Sequence, residues 1–290
     1  MKILLLLISF SCFANLKIIA TTANLESLAK TIGGDKVEVT GLCKGAQDPH
    51  FLEAKPSYIF KLSNADLLIS VGADLEIGWL PLVIQGSRRP SLRIGEKKHL
   101  VSADAINLIE KITGGITRAQ GDVHPAGNPH FMISPIESVN VARVIAQKLS
   151  LLDPSNKVYY EKNLNDYRDL INKKMIEWKK EIGVGLKVVT YHRTLSYFYR
   201  DFGITNVDVL EPKPGVPPSA SHIIQLIKKM KEKNVEKIIV ENYFNDAVAL
   251  RIKKDIPGVS ISVVPVAVGG REGINSLVEL YSFLVKSMRN

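Results

Sequence analysis

One pattern, an apolar run of strand length followed by an amphipathic stretch of helix length, recurs from Leu16 onward and then restarts at Lys187. The first series reads LKIIATT, NLESLAKTIGG, VEVTGL, PSYIFKLSNA and DLLISV, followed by an aromatic-aliphatic stretch around Trp79. The second reads KVVTYH, TLSYFYRDFG, TNVDVL, SHIIQLIKKMKEKN, EKIIVEN, DAVALRIKKD and VSISVVPV, and closes on a helix through INSLVELYSFLVKSM. Strands alternating with helices pair in parallel, because each return crossing passes over a face of the sheet. The expected class is α/β, with two lobes built on mostly parallel sheets. No repeat is strict enough to make the lobes duplicates.

Between the two series runs DPSNKVYYEKNLNDYRDLINKKMIEWKKEIG, which has no strand pattern. Asp153 and Pro154 open it as an N-cap and a first-turn proline, and it closes near Gly183. Tyr160, Leu164, Tyr167, Leu170, Ile171, Met175 and Trp178 recur at threes and fours, the spacing of one helix face. One helix of about 28 residues, about 42 Å long, is expected to lie along both lobes as a rigid strut. The chain then divides into a leader (1–14), an N-terminal lobe (15–152), a linker helix (153–183) and a C-terminal lobe (184–290).

The leader MKILLLLISFSCFA sets one lysine ahead of an apolar run and ends small-x-small at Cys12-Phe13-Ala14. That is the pattern of a secretory signal peptide, here cleaved after Ala14, and its apolar run is far shorter than the roughly 20 residues of a membrane span. A lipidated Cys12 is the alternative, although Ser9-Phe10-Ser11 lacks the usual aliphatic residue three positions upstream. A periplasmic protein is expected. With Cys12 gone, Cys43 stands alone, which excludes an intramolecular disulfide and a thiolate-rich metal site and leaves a buried inert thiol as the default. The net charge of +9 raises the question of nucleic acid, but lysines such as Lys228, Lys229, Lys231 and Lys233 alternate with apolar positions and read as solvated helix faces. No nucleic-acid partner is expected.

Chemistry rests on the histidines. His50 lies in Asp48-Pro49-His50-Phe51 and His130 in Asn128-Pro129-His130-Phe131, so an Asx-Pro pair fixes the backbone just ahead of each. His192 ends the strand Val188-Val189-Thr190-Tyr191, at the carboxyl edge where open α/β sheets place their ligands. Three imidazoles from three separated loops suit a borderline ion such as zinc. Asp48 and Asn128 read as braces of their loops. His124, in the glycine-rich stretch before His130, is a solvated loop residue or a metal-capture group. His222, after the N-cap Ser219, belongs to a structural element, and His99, after two lysines, is expected at the surface. The chain has neither a Gly-x-Ser-x-Gly elbow nor a Gly-x-x-x-x-Gly-Lys loop.

The stretches DPHFLEAKPS, GNPHFMISP, the linker from Leu152 to Glu181, TYHRTLSYFYRDFGI, EPKPGVPPSASHIIQLI and PVAVGGREGINSLVELYSFLV resemble, in order and spacing, the zinc and manganese solute-binding proteins of ABC importers. The resemblance implies two α/β lobes joined by a rigid helix, with a metal ion buried between them. It implies His50 and His130 as ligands from the N-terminal lobe and His192 as the third from the other lobe. Manganese-preferring relatives tend to carry a carboxylate at the His192 position, so Zn2+ is the expected transported ligand and Mn2+ the alternative. Where many relatives supply an Asp or Glu near the last helix, this chain reads Val263-Val264-Pro265-Val266. Glu241, at the end of a strand, is the candidate fourth ligand; water, Glu272 and Asp246 are others, and Glu241 could instead orient a histidine.

The partners implied are the metal ion and an importer permease in the inner membrane, and a monomer is expected. No enzymatic activity is expected. The competing classes are a manganese or iron member of the same family and a zinc hydrolase, since three histidines with an open fourth position also describe a catalytic zinc.

Overall fold

The computed structural model describes residues 15–112, 124–213 and 215–289, so the signal-peptide reading of 1–14 lies outside it. Strands β1 (Leu16–Ala20), β2 (Val37–Gly41), β3 (Leu67–Ser70) and β4 (His99–Val101) form one sheet in the order β2-β1-β3-β4. Strands β5 (Lys187–Thr190), β6 (Thr205–Val209), β7 (Lys237–Glu241) and β8 (Ser260–Val264) form a second in the order β6-β5-β7-β8. Every pairing is parallel. Both sheets therefore reverse their winding beside the first strand, between β1 and β3 and between β5 and β7. At such a switch point the loops at the carboxyl ends part and leave a crevice.

The helices are α1 (Ala23–Gly33), α2 (Pro56–Ser63), α3 (Leu80–Ser87), α4 (Pro135–Leu152), α5 (Lys157–Ile182), α6 (Ser196–Phe202), α7 (Ala220–Lys233), α8 (Ala247–Asp255) and α9 (Leu277–Met288). Successive strand side chains point to opposite faces, and both faces of these sheets are covered, so the central strands β1, β3, β5 and β7 are largely apolar runs, whereas β2 (VEVTG) and β6 (TNVDV) carry polar residues between apolar ones. Ile19 and Leu68 pack outward with Tyr58, Leu62, Trp79 and Val83 of the α2–α3 layer. Val189, Ile238 and Val240 do the same with Leu226, Met230 and Ile252 of α7 and α8. The alternate residues, Ile18, Leu67, Ile69, Val188 and Ile239, belong to one inner core that runs through α1, α4, α5, α6 and α9 and joins the two lobes.

Helix α5 spans 26 residues, about 39 Å of axis. Tyr160, Tyr167, Ile171, Met175 and Trp178 are buried as the spacing predicts, whereas Leu170 is 42% exposed and lies off the stripe. The Tyr167 hydroxyl sits 2.8 Å from Ser138 Oγ on α4, and Trp178 packs edge-on against Tyr281 of α9. The strut is thereby fastened to an element of each lobe. Asp153 does not cap α5: its carboxylate holds Ser155, Asn156 and the Tyr160 hydroxyl around a short turn at Pro154–Asn156, and the helix starts at Lys157.

His99, expected at the surface, is buried at the start of β4. Its Nε2 lies 2.8 Å from Ser70 Oγ on the neighbouring strand, and burial pushes its pKa down to about 4. Cys43 is a buried thiol, pushed up to about 12 by that burial. Among the described residues no helix is long and apolar enough to cross a membrane.

Candidate metal centre

The two Asx-Pro-His loops are built the same way. Asp48 Oδ1 accepts the His50 backbone N–H at 3.0 Å and faces His50 Nδ1 at 2.6 Å. Asn128 Oδ1 accepts the His130 backbone N–H at 2.9 Å and faces His130 Nδ1 at 2.8 Å. One oxygen thus closes the turn and engages Nδ1, which leaves Nε2 as the free ring nitrogen. Trp79 Nε1 donates to Pro49 O at 2.9 Å and pins the first loop to the core. The Asn128 amide nitrogen donates to Glu110 Oε2 and to Arg193 O, both at 2.9 Å, which fixes the amide orientation in the second.

The other lobe contributes its residues at the carboxyl ends of three adjacent strands: His192 after β5, Glu211 after β6 and Glu241 at the end of β7. Glu211 Oε2 accepts from His192 Nδ1 at 2.9 Å, while its Oε1 accepts from the Gly215 backbone N–H at 2.8 Å. Burial works against a charged His192, but the bond to Glu211 and the charges of Glu241 and Glu211 outweigh it and raise the pKa. Glu241 is fully buried, with neither carboxylate oxygen hydrogen-bonded, and that burial, opposed by His192, pushes its pKa up to about 7.

One ligand atom from each of His50, His130 and His192 falls within 4.8 Å of the others, so the structure brings together the three histidines singled out from sequence. Glu241 is not in that group. His130 Nε2 is buried without a hydrogen-bond partner, and burial, reinforced by the neighbouring His50 and His192, holds its pKa well below the ordinary value. Burial also opposes ionisation of Asp48, yet its contacts with His50 bring its pKa below the usual carboxylate value. The rings are therefore arranged as nitrogen donors, with acceptors behind them. Cavities of about 60 and 40 Å3 flank the cluster, far below the roughly 300–1,000 Å3 of an organic-ligand pocket. A larger hollow of about 620 Å3, lined by Ile77, Leu80, Ile84 and Ile94, contains none of these histidines.

Glu211 escapes the sequence reading, and of the two readings of His124 the solvated one fails. Glu211, not Glu241, is the carboxylate hydrogen-bonded to His192. His124 is no solvated loop residue: its Nε2 lies 3.1 Å from His50 Nε2 and its Nδ1 3.0 Å from Ala73 O, and burial lowers its pKa to about 4. His222 fills the structural place expected of it, Nε2 at 3.0 Å from Val209 O. Glu272 and Asp246 do not join the cluster.

The lobes are stitched together around the site. Tyr197 Oη donates to Asn128 O at 2.7 Å and accepts from Ile109 N, and Ser196 and Arg193 both reach Glu110. On the far side Asn24 bonds Val266 O and the Val268 N–H. There Gly45 meets Gly270 so closely that a Cβ on Gly45 would stand 2.3 Å from the Gly270 nitrogen. Only glycine fits that backbone-to-backbone contact.

The chain matches, over residues 18–290, the family described as zinc-uptake complex component A, periplasmic. The manganese ABC transporter substrate-binding lipoprotein PsaA of Streptococcus pneumoniae serotype 4 is 28% identical over 247 residues, covering 83% of this chain and 76% of its own. The metal ABC transporter substrate-binding lipoprotein FimA of Streptococcus parasanguinis is 26% identical over the same shares. A zinc-bound ZnuA deletion mutant has the same fold, with a TM-score of 0.79 at 23% identity over 95% of this chain and 97% of its own. A cadmium-bound periplasmic metal-binding protein from Candidatus Liberibacter asiaticus gives 0.78 at 23% identity over 94% and 98%. With the match running almost from end to end, the chain belongs to the zinc-uptake complex component A family.

Proposed function

We propose that this chain is the solute-binding component of an ABC importer, that its cargo is Zn2+, and that His50, His130 and His192 hold the ion. The observation that carries the reading is the convergence of these three imidazoles from both lobes, each with Nδ1 engaged by an oxygen and room beside them for an ion alone. PsaA is named for manganese and a ZnuA structure holds zinc, so relatives leave the cargo open. An imidazole set favours zinc, whereas manganese is better served by oxygen ligands.

In this reading the lobes 15–152 and 184–290 close on the ion about the strut 153–183, and a monomer delivers it to a permease in the membrane. Curated relatives are named lipoproteins, which supports a place outside the cytoplasm, reached through the leader and either cleaved after Ala14 or anchored at Cys12. Calorimetric competition among zinc, manganese and iron tests the cargo. Zinc is expected to displace the others; tighter manganese binding would overturn the choice of ion and leave the family assignment standing.

A further inference from the structure

The sequence lacks the carboxylate that would complete the ligand set from the last helix's loop, and Glu241 stands outside the three-histidine group. We propose that His124 supplies the fourth donor, so that the bound ion sits in four imidazoles, three of them from the N-terminal lobe. This rests on the metal-binding reading above and specifies the coordination of that same site.

The placement of His124 carries the proposal. Its ring centroid is 5.2 Å from that of His50 and 6.2 Å from that of His130. Its Nδ1 faces the Ala73 carbonyl, which only accepts, so Nδ1 carries the proton and the neutral ring has its lone pair on Nε2. His50 has the same arrangement, with Nδ1 directed at the Asp48 carboxylate. When both rings are neutral, the ligand form of an imidazole, two lone pairs confront each other at 3.1 Å. A cation shared by both nitrogens turns that repulsion into attraction. Ligands on one tetrahedral zinc, at 2.0–2.1 Å from the metal, stand about 3.3–3.4 Å apart, close to this separation.

The support behind His124 is built into the N-terminal lobe. Gly72, Ala73 and Asp74 all hold positive φ (85°, 50° and 62°), an uncommon run that aims the Ala73 carbonyl. The buried Glu76 carboxylate fastens the start of this turn by accepting from the Val71 and Gly72 backbone N–H groups at 2.8 and 3.0 Å. His124 is not in the group of three, so binding brings its ring closer to the ion. A set of four neutral nitrogens further favours zinc and cobalt over manganese.

X-ray absorption of the Zn2+-loaded protein and the visible spectrum of the Co2+-loaded protein test this in the wild type, His124→Gln, His124→Ala and Glu241→Gln. Four imidazoles are expected in the wild type and in Glu241→Gln, and three in both His124 variants. The His124 variants are also expected to lose zinc affinity by about 10–100-fold or more. Three imidazoles in the wild type, or an unchanged spectrum and affinity in both His124 variants, would overturn the proposal while leaving zinc uptake intact. Failure of the wild type to bind either ion would instead sink the reading on which it rests.

Discussion

His192 Nδ1 lies 2.9 Å from Glu211 Oε2, and both side chains are more than nine-tenths buried. A buried carboxylate behind an imidazole fixes the ring's orientation and makes Nε2 a better donor, and it also stabilises the protonated ring that cannot bind metal.

Glu211→Gln separates these effects. Without the charge, the raised His192 pKa falls, so proton competition is felt only at lower pH and the acid edge of zinc binding moves down. At about pH 8, where protons no longer compete, affinity is expected to drop about 10–100-fold because the ring is a poorer donor. A zinc-competition titration against pH shows both. An unmoved edge with unchanged affinity would remove Glu211 from the site.

The paired loops predict a ranking. Asp48→Asn keeps the acceptor for His50 and costs least; Asp48→Ala loses both bonds from Oδ1, about 1–3 kcal/mol of stability together with zinc affinity. Asn128→Ala is worse, since it also releases Glu110 and Arg193 from the seam between the lobes. Urea unfolding and zinc titration of the three variants check the order, and an Asp48→Asn loss equal to that of Asp48→Ala would contradict it.

Acid sensitivity has a source away from the site. His99 is held near 4 in the folded protein against about 6.5 unfolded, so its contribution is present above about 6.5 and is lost as pH falls between those values. His130 and His124 act in the same direction, and Glu241, raised to about 7, acts in the opposite one. These cancel when wild type and His99→Gln are compared. The variant is expected to show a flatter fall in urea midpoint across that window; parallel falls would show that His99 does not titrate there.

The central strands were legible because burial on both faces demands apolar runs, and the linker because Tyr160, Tyr167, Ile171 and Trp178 keep one face. Strand β4 was not, since it is three residues long and opens on a histidine whose partner, Ser70, lies 29 residues away. The Asx-Pro-His loops could be read because each brace is two residues from its ring. The contacts of Glu211 and His124 could not: they reach His192 and His50 across 19 and 74 residues, and only the folded chain defines them.

In the proposed function a single ion is shared between the lobes by His50, His130 and His192. The most direct test is the zinc content, by native mass spectrometry, of the wild type and of the His192→Ala variant at matched free zinc. One tightly held zinc in the wild type, lost in the variant while the fold remains intact, is the predicted result. A wild type that holds no zinc, or a variant that keeps it as tightly, would contradict the account.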